Sequence, residues 1–122
     1  MYIQASIYFK IATGGTNWII GKISIDWIGS LETSLLNDVI ALIDEGVSNA
    51  IRHAKATKIS VSGYRVGIDL NIEILSDGFG MSAKAPGLGT KLFNELTSSW
   101  KYVNQGKLNL LKFTVRDAPS AG

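Results

Sequence analysis

The first 28 residues alternate between apolar and polar positions on both sides of a glycine pair, Gly14-Gly15. The apolar positions of the two segments are Ile3, Ala5, Ile7, Phe9, Ile11, then Ile19, Ile23, Ile25 and Trp27. A period of two is typical of β-strands, and a glycine pair between two such runs favours a hairpin turn. We therefore predict an N-terminal β-hairpin over residues 1–28, whose polar positions form a solvated sheet face.

From Leu31 the hydrophobic period becomes helical. Apolar residues recur at spacings of three and four: Leu35, Leu36, Val39, Ile40, Ile43, Val47, Ala50, Ile51 and Ala54. Such a stripe predicts an amphipathic helix that packs on a core. Ser30 is the expected N-cap, and the helix is expected to end near Lys55.

The rest of the chain returns to alternation, with one more helical segment. Strand-like runs cover residues 58–64 and 66–76, with a turn around Arg65, and a glycine-rich loop covers residues 77–89. A second helix over residues 90–99 and two strands, 100–103 and 107–115, follow. We predict one domain over residues 1–122, with a tail at 117–122 that frays. Its fold class would be α/β (α+β): a two-layer sandwich, with helices on one face of a mixed, mostly antiparallel sheet.

Composition excludes several classes of function. The chain has 46% hydrophobic and 18% charged residues and a net charge of +2, which is too small to argue for nucleic-acid binding. It has no cysteine and one histidine, which excludes disulfides, thiolate metal sites and multi-histidine zinc sites. The N-terminus lacks the features of a signal peptide, and no apolar run approaches the ~18 residues of a membrane span. We expect a cytoplasmic domain without direct membrane insertion.

Candidate chemistry begins with four polar residues in the predicted long helix: Glu45, Asn49, Arg52 and His53. Side chains four residues apart lie one above the other on a helix, so this row would share a face angled away from the apolar stripe. A carboxylate and an amide in such a row can hold a divalent ion and its attached phosphates. The alternative is a solvated helix face without chemistry, because this spacing is common.

Two glycine clusters follow the row, Ser76 to Gly80 and Gly87 to Thr90. Glycines let backbone amides approach a nucleotide closely. Residues 45–54, EGVSNAIRHA, resemble the N box of the GHKL ATP-binding superfamily, which includes sensor histidine kinases and DNA gyrase. Their E-x-x-x-N-A-x-R-H-A form is most similar to sensor kinases with short lids, such as the nitrate sensors. The two clusters are similar to the glycine boxes of that superfamily, and all three motifs stand in its order between Leu31 and Val115.

This resemblance implies the Bergerat ATP-binding fold and a site for ATP and Mg²⁺. Asn49 would bind magnesium through its side-chain oxygen, a hard ligand. Glu45 would be the catalytic residue, either orienting the attacking group or holding magnesium through water. Arg52 and His53 would lie near the phosphates, or would only pair with the helix dipole. The other cofactor-binding residues would be Ser76, Asp77, Gly78, Gly80, Gly87, Leu88, Gly89 and Thr90.

The first glycine box departs from the family pattern, in which an aspartate accepts a hydrogen bond from the adenine amino group. Aligning Gly78 and Gly80 with the family glycines places Ser76, not Asp77, at that position. The alternation agrees, because Ser76 continues the apolar face of Ile68, Leu70, Ile72 and Ile74. A one-residue bulge could instead turn Asp77 inward. The lid between the two glycine boxes, Met81 to Pro86, is also shorter than the loop that many kinases have there.

The resemblance implies the ATP-binding domain of a bacterial sensor histidine kinase of two-component signalling. It would present the γ-phosphate of Mg-ATP to a histidine on a dimerisation domain or another pathway protein, because the chain carries no acceptor histidine of its own. Ser76 and the short lid favour an alternative, a degenerate domain that serves as a protein-interaction module with weak or no nucleotide binding. A stand-alone kinase similar to anti-sigma-factor kinases is a further alternative.

Overall fold

A computed structural model describes residues 5–12, 18–52, 56–78 and 90–117, with side chains from Ile25 onward except those of Arg52 and Gln105. The described part contains six strands, two α-helices and one short 3-10 helix. These are β1 (Ala5–Ala12), β2 (Trp18–Ile25), the 3-10 helix (Ile28–Ser30), α1 (Thr33–Arg52), β3 (Lys58–Val66), β4 (Asp69–Ser76), α2 (Thr90–Leu96), β5 (Ser99–Gln105) and β6 (Leu108–Arg116).

The six strands form one sheet in the order β1-β2-β3-β4-β6-β5. Strands β2 and β3 pair in parallel, and the other neighbours pair antiparallel. Parallel neighbours need a long connection, and α1 supplies it between β2 and β3. The prediction of a mixed, mostly antiparallel sheet with an N-terminal hairpin is therefore confirmed.

One face of the sheet is covered by the helices and carries the core. Along β4 the buried positions alternate as Leu70, Ile72 and Ile74, and along β6 as Leu111, Phe113 and Val115. The register places these residues directly opposite one another, as in the pair Ile72–Phe113, so they share a face. Val39, Leu42 and Val47 of α1 are buried against this face. The predicted two-layer sandwich is confirmed.

The helix α1 approaches the sheet most closely at Gly46. A Cβ atom at this position would lie 2.6 Å from Ile74 Cδ1 and 2.9 Å from Leu111 Cδ2, so these buried methyl groups would have to move. Glycine within a helix costs roughly 1 kcal/mol relative to alanine. The close contact accounts for its presence here, because a glycine leaves these core side chains undisplaced.

The second helix, α2, is anchored by one aromatic residue. Phe93 is buried, and its ring centroid lies 5.2 Å from that of Phe113 and 5.6 Å from that of Trp100. Thr97 donates its backbone N–H to Phe93 O at 3.0 Å at the end of the helix. The predicted helix end at residue 99 is thus too late, because Ser99 already pairs with Thr114 in the sheet.

The predicted β3–β4 turn and the predicted cap are wrong by a few residues. Gly67 has φ of +61°, so the β3–β4 turn lies there, later than the predicted turn around Arg65. Ile68 consequently lies in a turn and is 48% exposed. Gly106, with φ of +64°, lies in the predicted turn between β5 and β6. Ser30 donates its hydroxyl to Trp27 O at 2.8 Å and ends the 3-10 helix, whereas the first α1 bond runs from Leu36 N to Glu32 O.

Three further expectations concern the apolar stripe of α1, the segments outside the described residues and membrane-spanning helices. Ile40, assigned to the apolar stripe of α1, is 49% exposed, so the stripe is narrower than predicted. The N-terminal turn at Gly14-Gly15, the helix end near Lys55, the lid and residues 118–122 of the tail lie outside the described residues. Neither described helix is long and apolar enough to cross a membrane.

The contact at Gly46 yields a prediction for stability. Gly46→Val should lower the free energy of unfolding by about 1–3 kcal/mol, because the added carbons force apart a packed helix and sheet. Gly29→Val is the matched control, since nothing lies within 4 Å of a Cβ at Gly29. Denaturant unfolding of both variants measures the difference, and equal midpoints would contradict the close-packing interpretation.

Candidate functional site

The site is built first from Asn49, which lies in the interface between α1 and the sheet. Only 3% of Asn49 is exposed, and its Nδ2 donates a hydrogen bond of 3.2 Å to Glu45 Oε1. Glu45, one turn earlier, is half-buried. The prediction that this row is angled away from the apolar stripe is therefore wrong for Asn49, and so is the solvated-face alternative. At 3.6 residues per turn, Asn49 lies on the same side of the helix as Leu42 and Gly46, facing the sheet.

Ser76, at the end of β4, faces the same interface. It is 5% exposed and continues the buried alternation of Leu70, Ile72 and Ile74, as predicted. The register of β3 and β4 is continuous from Val66–Asp69 to Ile59–Ser76, so no bulge rotates this strand. The Ser76 hydroxyl makes no hydrogen bond to any residue that the structure describes. Among the described residues, the buried side-chain atom without a hydrogen-bond partner is Trp27 Nε1.

Asp77 lies on the other side of the chain and is fully engaged. Its Oδ1 accepts hydrogen bonds from the backbone N–H of Thr57 at 2.7 Å and of Lys58 at 2.9 Å, and its Oδ2 accepts one from Thr57 Oγ1 at 2.6 Å. Burial alone would raise the pKa of the Asp77 carboxyl, but the bonds from the Thr57 side chain and the two backbone amides hold it below its ordinary value of 3.8. Asp77 thus secures the start of β3.

The chain path brings Asn49 and Ser76 to the same end of the interface. Gly46 lies over Ile74 and Leu111, and Asn49 follows it by almost one helical turn. After α1 the chain enters β3, where Ile59 pairs with Ser76. The C-terminal end of α1 therefore points toward the C-terminal end of β4, and Asn49 lies beyond Ile74 in the direction of Ser76.

Gly78 and Asn109 also lie at this end of the interface, next to Ser76. Gly78 has φ of +105°, a conformation that side-chain-bearing residues rarely adopt, which accounts for a glycine at the first box. Asn109 of β6 pairs directly with Ser76 in the register and is 1% exposed. Its Nδ2 donates to Gly78 O at 3.5 Å, and its Oδ1 accepts a bond from Asn104 Nδ2.

Asn109 and Thr57 are residues that the sequence interpretation missed. Asn109 had a detectable signal, because it occupies an inward position in the alternation with Leu111, Phe113 and Val115. Thr57 had none, because its contact with Asp77 joins residues 20 positions apart.

The other predicted site residues are only partly described. Thr90 is exposed and is the first residue of α2, as predicted. Arg52 is the last residue of α1, and its side chain is not described. His53, Gly80, Gly87, Leu88 and Gly89 lie outside the described residues. Their proposed roles stay predictions.

The oxygen atoms of Asn49 and Glu45 suit a metal ion whose remaining ligands come mainly from a bound substrate. Among the described residues, no group of three or more histidine, cysteine or carboxylate side chains could hold a metal ion. Asn49 and Glu45 offer an amide oxygen and a carboxylate within one hydrogen-bonded pair. Mg²⁺ is commonly bound by one or two protein oxygens together with substrate phosphates and water, so this pair fits it.

A groove of about 150 Å³ lies elsewhere, on β5 and β6, lined by residues 99–101 and 112–114. It contains none of the predicted site residues. The register places Lys101 opposite Lys112, and Lys112 also lies 3.8 Å from Glu73. Since these lysines stand on the sheet face without helices, the groove is separate from the Asn49–Ser76 end.

Several solved histidine kinases have a backbone similar to that of this chain. A blue-light activated histidine kinase of Erythrobacter litoralis matches 79% of this chain with a TM-score of 0.65 and 14% identity, over 34% of its own chain. The histidine kinase AdeS of Acinetobacter baumannii matches 66% with a TM-score of 0.55 and 21% identity, over 46% of its own chain. The catalytic domain of histidine kinase ThkA, free of nucleotide, matches 80% with a TM-score of 0.55 and 14% identity, over 74% of its own chain.

These likenesses establish the fold, which is the mixed α+β fold of histidine kinase catalytic domains. The chain spans less than half the length of the first two kinases. No protein-family model matches the sequence.

The contacts of Asp77 yield a prediction for stability and its pH dependence. Asp77→Ala should lower the free energy of unfolding by about 1 kcal/mol at neutral pH, because three hydrogen bonds to the start of β3 are lost. The pKa of this carboxyl is lower in the folded chain, so its stabilisation is present above the unfolded pKa of about 3.9 and is lost as the pH falls through the folded pKa.

Asp69→Ala is the matched control for this prediction. Asp69 forms only an exposed ion pair with Arg116 at 3.7 Å, and such pairs contribute roughly 0–1 kcal/mol. Urea unfolding of wild type and both variants between neutral pH and about pH 3 measures the effect. If the gap between wild type and Asp77→Ala failed to narrow on acidification, the carboxylate would not be the stabilising group.

Proposed function

We propose that this chain is the ATP-binding catalytic domain of a sensor histidine kinase of the short-lid, nitrate-sensor type. Its role is to present the γ-phosphate of Mg-ATP to a histidine on another domain or protein. The observation that carries the proposal is the Glu45–Asn49 pair, which is held inside the interface at the end where β4 terminates in Ser76. The histidine kinase fold of the backbone supports it.

The position of Asn49 supports a metal site at this end of the interface. Asn49 is 3% exposed and lies among Val39, Leu42 and Val47. Glu45 accepts one N–H and so fixes the direction of the amide. The amide oxygen is the atom that would bind magnesium, and bound magnesium would neutralise the charge of the phosphates.

The base would lie at the end of β4, against Ser76. Ser76 is 5% exposed, and its hydroxyl can donate a hydrogen bond to a ligand or accept one from it. Gly78, two residues later, adopts a conformation available to glycine, so the chain bends immediately beyond the strand. The phosphates would extend from there toward Asn49, with Arg52, His53 and the second glycine box Gly87 to Thr90 as the further contacts.

The acceptor of the phosphoryl group belongs to a partner. The sequence has one histidine, His53, and it stands inside the motif assigned to the nucleotide. A dimerisation domain that carries the acceptor histidine, or another two-component protein, would supply the nucleophile. Catalysis by this domain would then consist of positioning and charge stabilisation, which dominate phosphoryl transfer.

A second candidate is a degenerate domain that serves protein interaction. The observation that favours it is the identity of Ser76, a neutral group at the position where the family has a carboxylate. Replacing a charge-assisted hydrogen bond by a neutral one costs about 1–2 kcal/mol, which is roughly ten- to thirtyfold in affinity. Such a loss weakens ATP binding without abolishing it, so the kinase proposal remains the stronger.

Calorimetric titration with a non-hydrolysable ATP analogue, with and without magnesium, tests the proposal. Wild type should bind the analogue more tightly with magnesium than without it. Asn49→Ala should lower the affinity in the presence of magnesium by roughly tenfold or more, and should change the affinity without the ion little. The reason is that Asn49 is assigned to the metal and not to the base.

Ser48→Ala is the control for this titration, since Ser48 is a half-buried neighbour on the same helix. An equal loss for Asn49→Ala with and without magnesium would indicate a folding defect and would remove the metal role. Absence of wild-type binding at millimolar analogue would favour the interaction module.

Ser76→Asp tests the base position. It should tighten ATP binding by roughly ten- to thirtyfold, because a carboxylate replaces the hydroxyl opposite the adenine amino group. Asp77→Asn should leave ATP affinity unchanged, because Asp77 is bonded to Thr57 and Lys58. Titration of both variants measures the two affinities. A loss of ATP affinity in Asp77→Asn together with no gain in Ser76→Asp would assign the base to Asp77 instead.

A further inference from the structure

The sheet face opposite the described helices carries four apolar side chains at one end. Leu75 of β4 pairs with Leu110 of β6, which pairs in turn with Val103 of β5, so these three side chains project from one face. Leu108 lies two positions before Leu110 on that face. Leu75 and Leu108 are 39% and 47% exposed, and the other two are half-buried. We call these four residues the open-face patch.

A charged row lies next to the open-face patch on the same face. It consists of Glu73, Lys112 and Lys101, which are consecutive partners in the register, two positions along the strands from three residues of the patch. The Glu73 carboxylate lies 3.8 Å from the Lys112 ammonium. Two lysines thus stand against one glutamate, and the row keeps a net positive charge. Like charges directly opposite each other on antiparallel strands are destabilising, so an anionic group beside both lysines would relieve a repulsion.

The groove on β5 and β6 has room for such a group. Its volume is about 150 Å³, and residues 99–101 and 112–114 line it, so both lysines stand at its wall. Lys101 is exposed, and the side chain of Lys112 keeps 35% exposure beside Glu73. A carboxylate that enters the groove can therefore accept hydrogen bonds from both ammonium groups.

The dimensions of the patch and the row match one face of an α-helix. Neighbouring strands lie about 4.8 Å apart, so three strands are about 10 Å wide, which is about the diameter of a helix with its side chains. The two positions from patch to row span about 7 Å along the strands. One helical turn rises about 5.4 Å. A helix along β6 with apolar side chains over Leu108 and Leu110 therefore brings the side chains of its next turn close to Lys112.

We propose that this face docks an amphipathic helix of a partner protein, with apolar side chains on the open-face patch and carboxylates one turn further on at Lys101 and Lys112. Charge complementarity identifies the docking helix as acidic. Such a helix covers the second face of the sheet as α1 and α2 cover the first. The patch lies within strands on a sheet face and not on an amphipathic helix, which favours a protein over a lipid surface. The inference does not rest on the proposed nucleotide site, which lies on the opposite face.

The test measures, by fluorescence anisotropy, the binding of labelled peptides to the intact chain. The first peptide is an alanine-based helix of about 15 residues, with leucines at i and i+4 and glutamates in the following turn. The second carries lysines in place of the glutamates. Wild type should bind the glutamate peptide with a Kd below about 1 mM, and roughly tenfold more tightly than the lysine peptide, which meets Lys101 and Lys112 with like charge.

Two substitutions with matched controls locate the binding surface. Lys101→Glu should weaken binding of the glutamate peptide by roughly five- to tenfold and strengthen that of the lysine peptide. Lys91→Glu makes the same charge change at an exposed position of α2 and should alter neither. Leu108→Thr should weaken binding of the glutamate peptide by roughly threefold or more, because apolar contact area is lost. Ile68→Thr should not, although Ile68, at 48%, is as exposed as Leu108.

The opposite results overturn the inference. No binding of the glutamate peptide at millimolar concentration, or equal affinities of wild type for the two peptides, would do so without any variant. Equal effects of each substitution and its control would place the peptide elsewhere on the chain and overturn it too. If wild type instead bound phosphatidylserine vesicles but not the peptide, and both Lys101→Glu and Leu108→Thr lost the vesicles, the face would be a membrane surface. Titration with the ATP analogue is independent of all these results, so the proposed function and the inference can fail separately.

Discussion

The close contact of α1 with β4 and β6 at Gly46 sets the geometry on which the candidate site depends. With no side chain at this position, the helix backbone rests directly on Ile74 and Leu111. This contact sets the distance between the helix and the sheet. The residues one turn after Gly46 therefore lie just above the end of β4. A helix held further away would leave Asn49 exposed to water.

Polar groups at one end of an apolar interface distinguish this chain from a purely structural α/β sandwich. Asn49, Ser76 and Asn109 are the buried polar residues in the described part of the chain, and each comes from a different element. Glu45 constrains the first, and Asn104 constrains the third. Burying such groups opposes folding unless they are paired, and the bonds of Asn49 with Glu45 and of Asn109 with Asn104 and Gly78 offset that cost.

The sequence was sufficient to predict the architecture because hydrophobic periodicity reports which face of each element is buried. It predicted the hairpin pairing of β1 with β2, the long helix and the inward direction of Ser76, all of which follow from periods of two and of about 3.6. It misplaced the β3–β4 turn, which it set around Arg65, whereas the bend lies at Gly67, where φ is positive. It also failed for the direction of Asn49, which was predicted to lie on a face angled away from the apolar stripe, whereas its spacing from Leu42 and Gly46 places it inside.

Long-range contacts account for what the sequence could not predict. The Asp77–Thr57 bond links the end of β4 to the start of β3, and the Ser76–Asn109 pair links β4 to β6 across 33 positions of sequence. Because successive side chains of a strand point to opposite faces, the adjacent residues differ in role. Asp77 stabilises the sheet, and Ser76 faces the interface. Asp77 is therefore bonded to Thr57 and Lys58 at the start of β3 and does not face the interface that Ser76 faces.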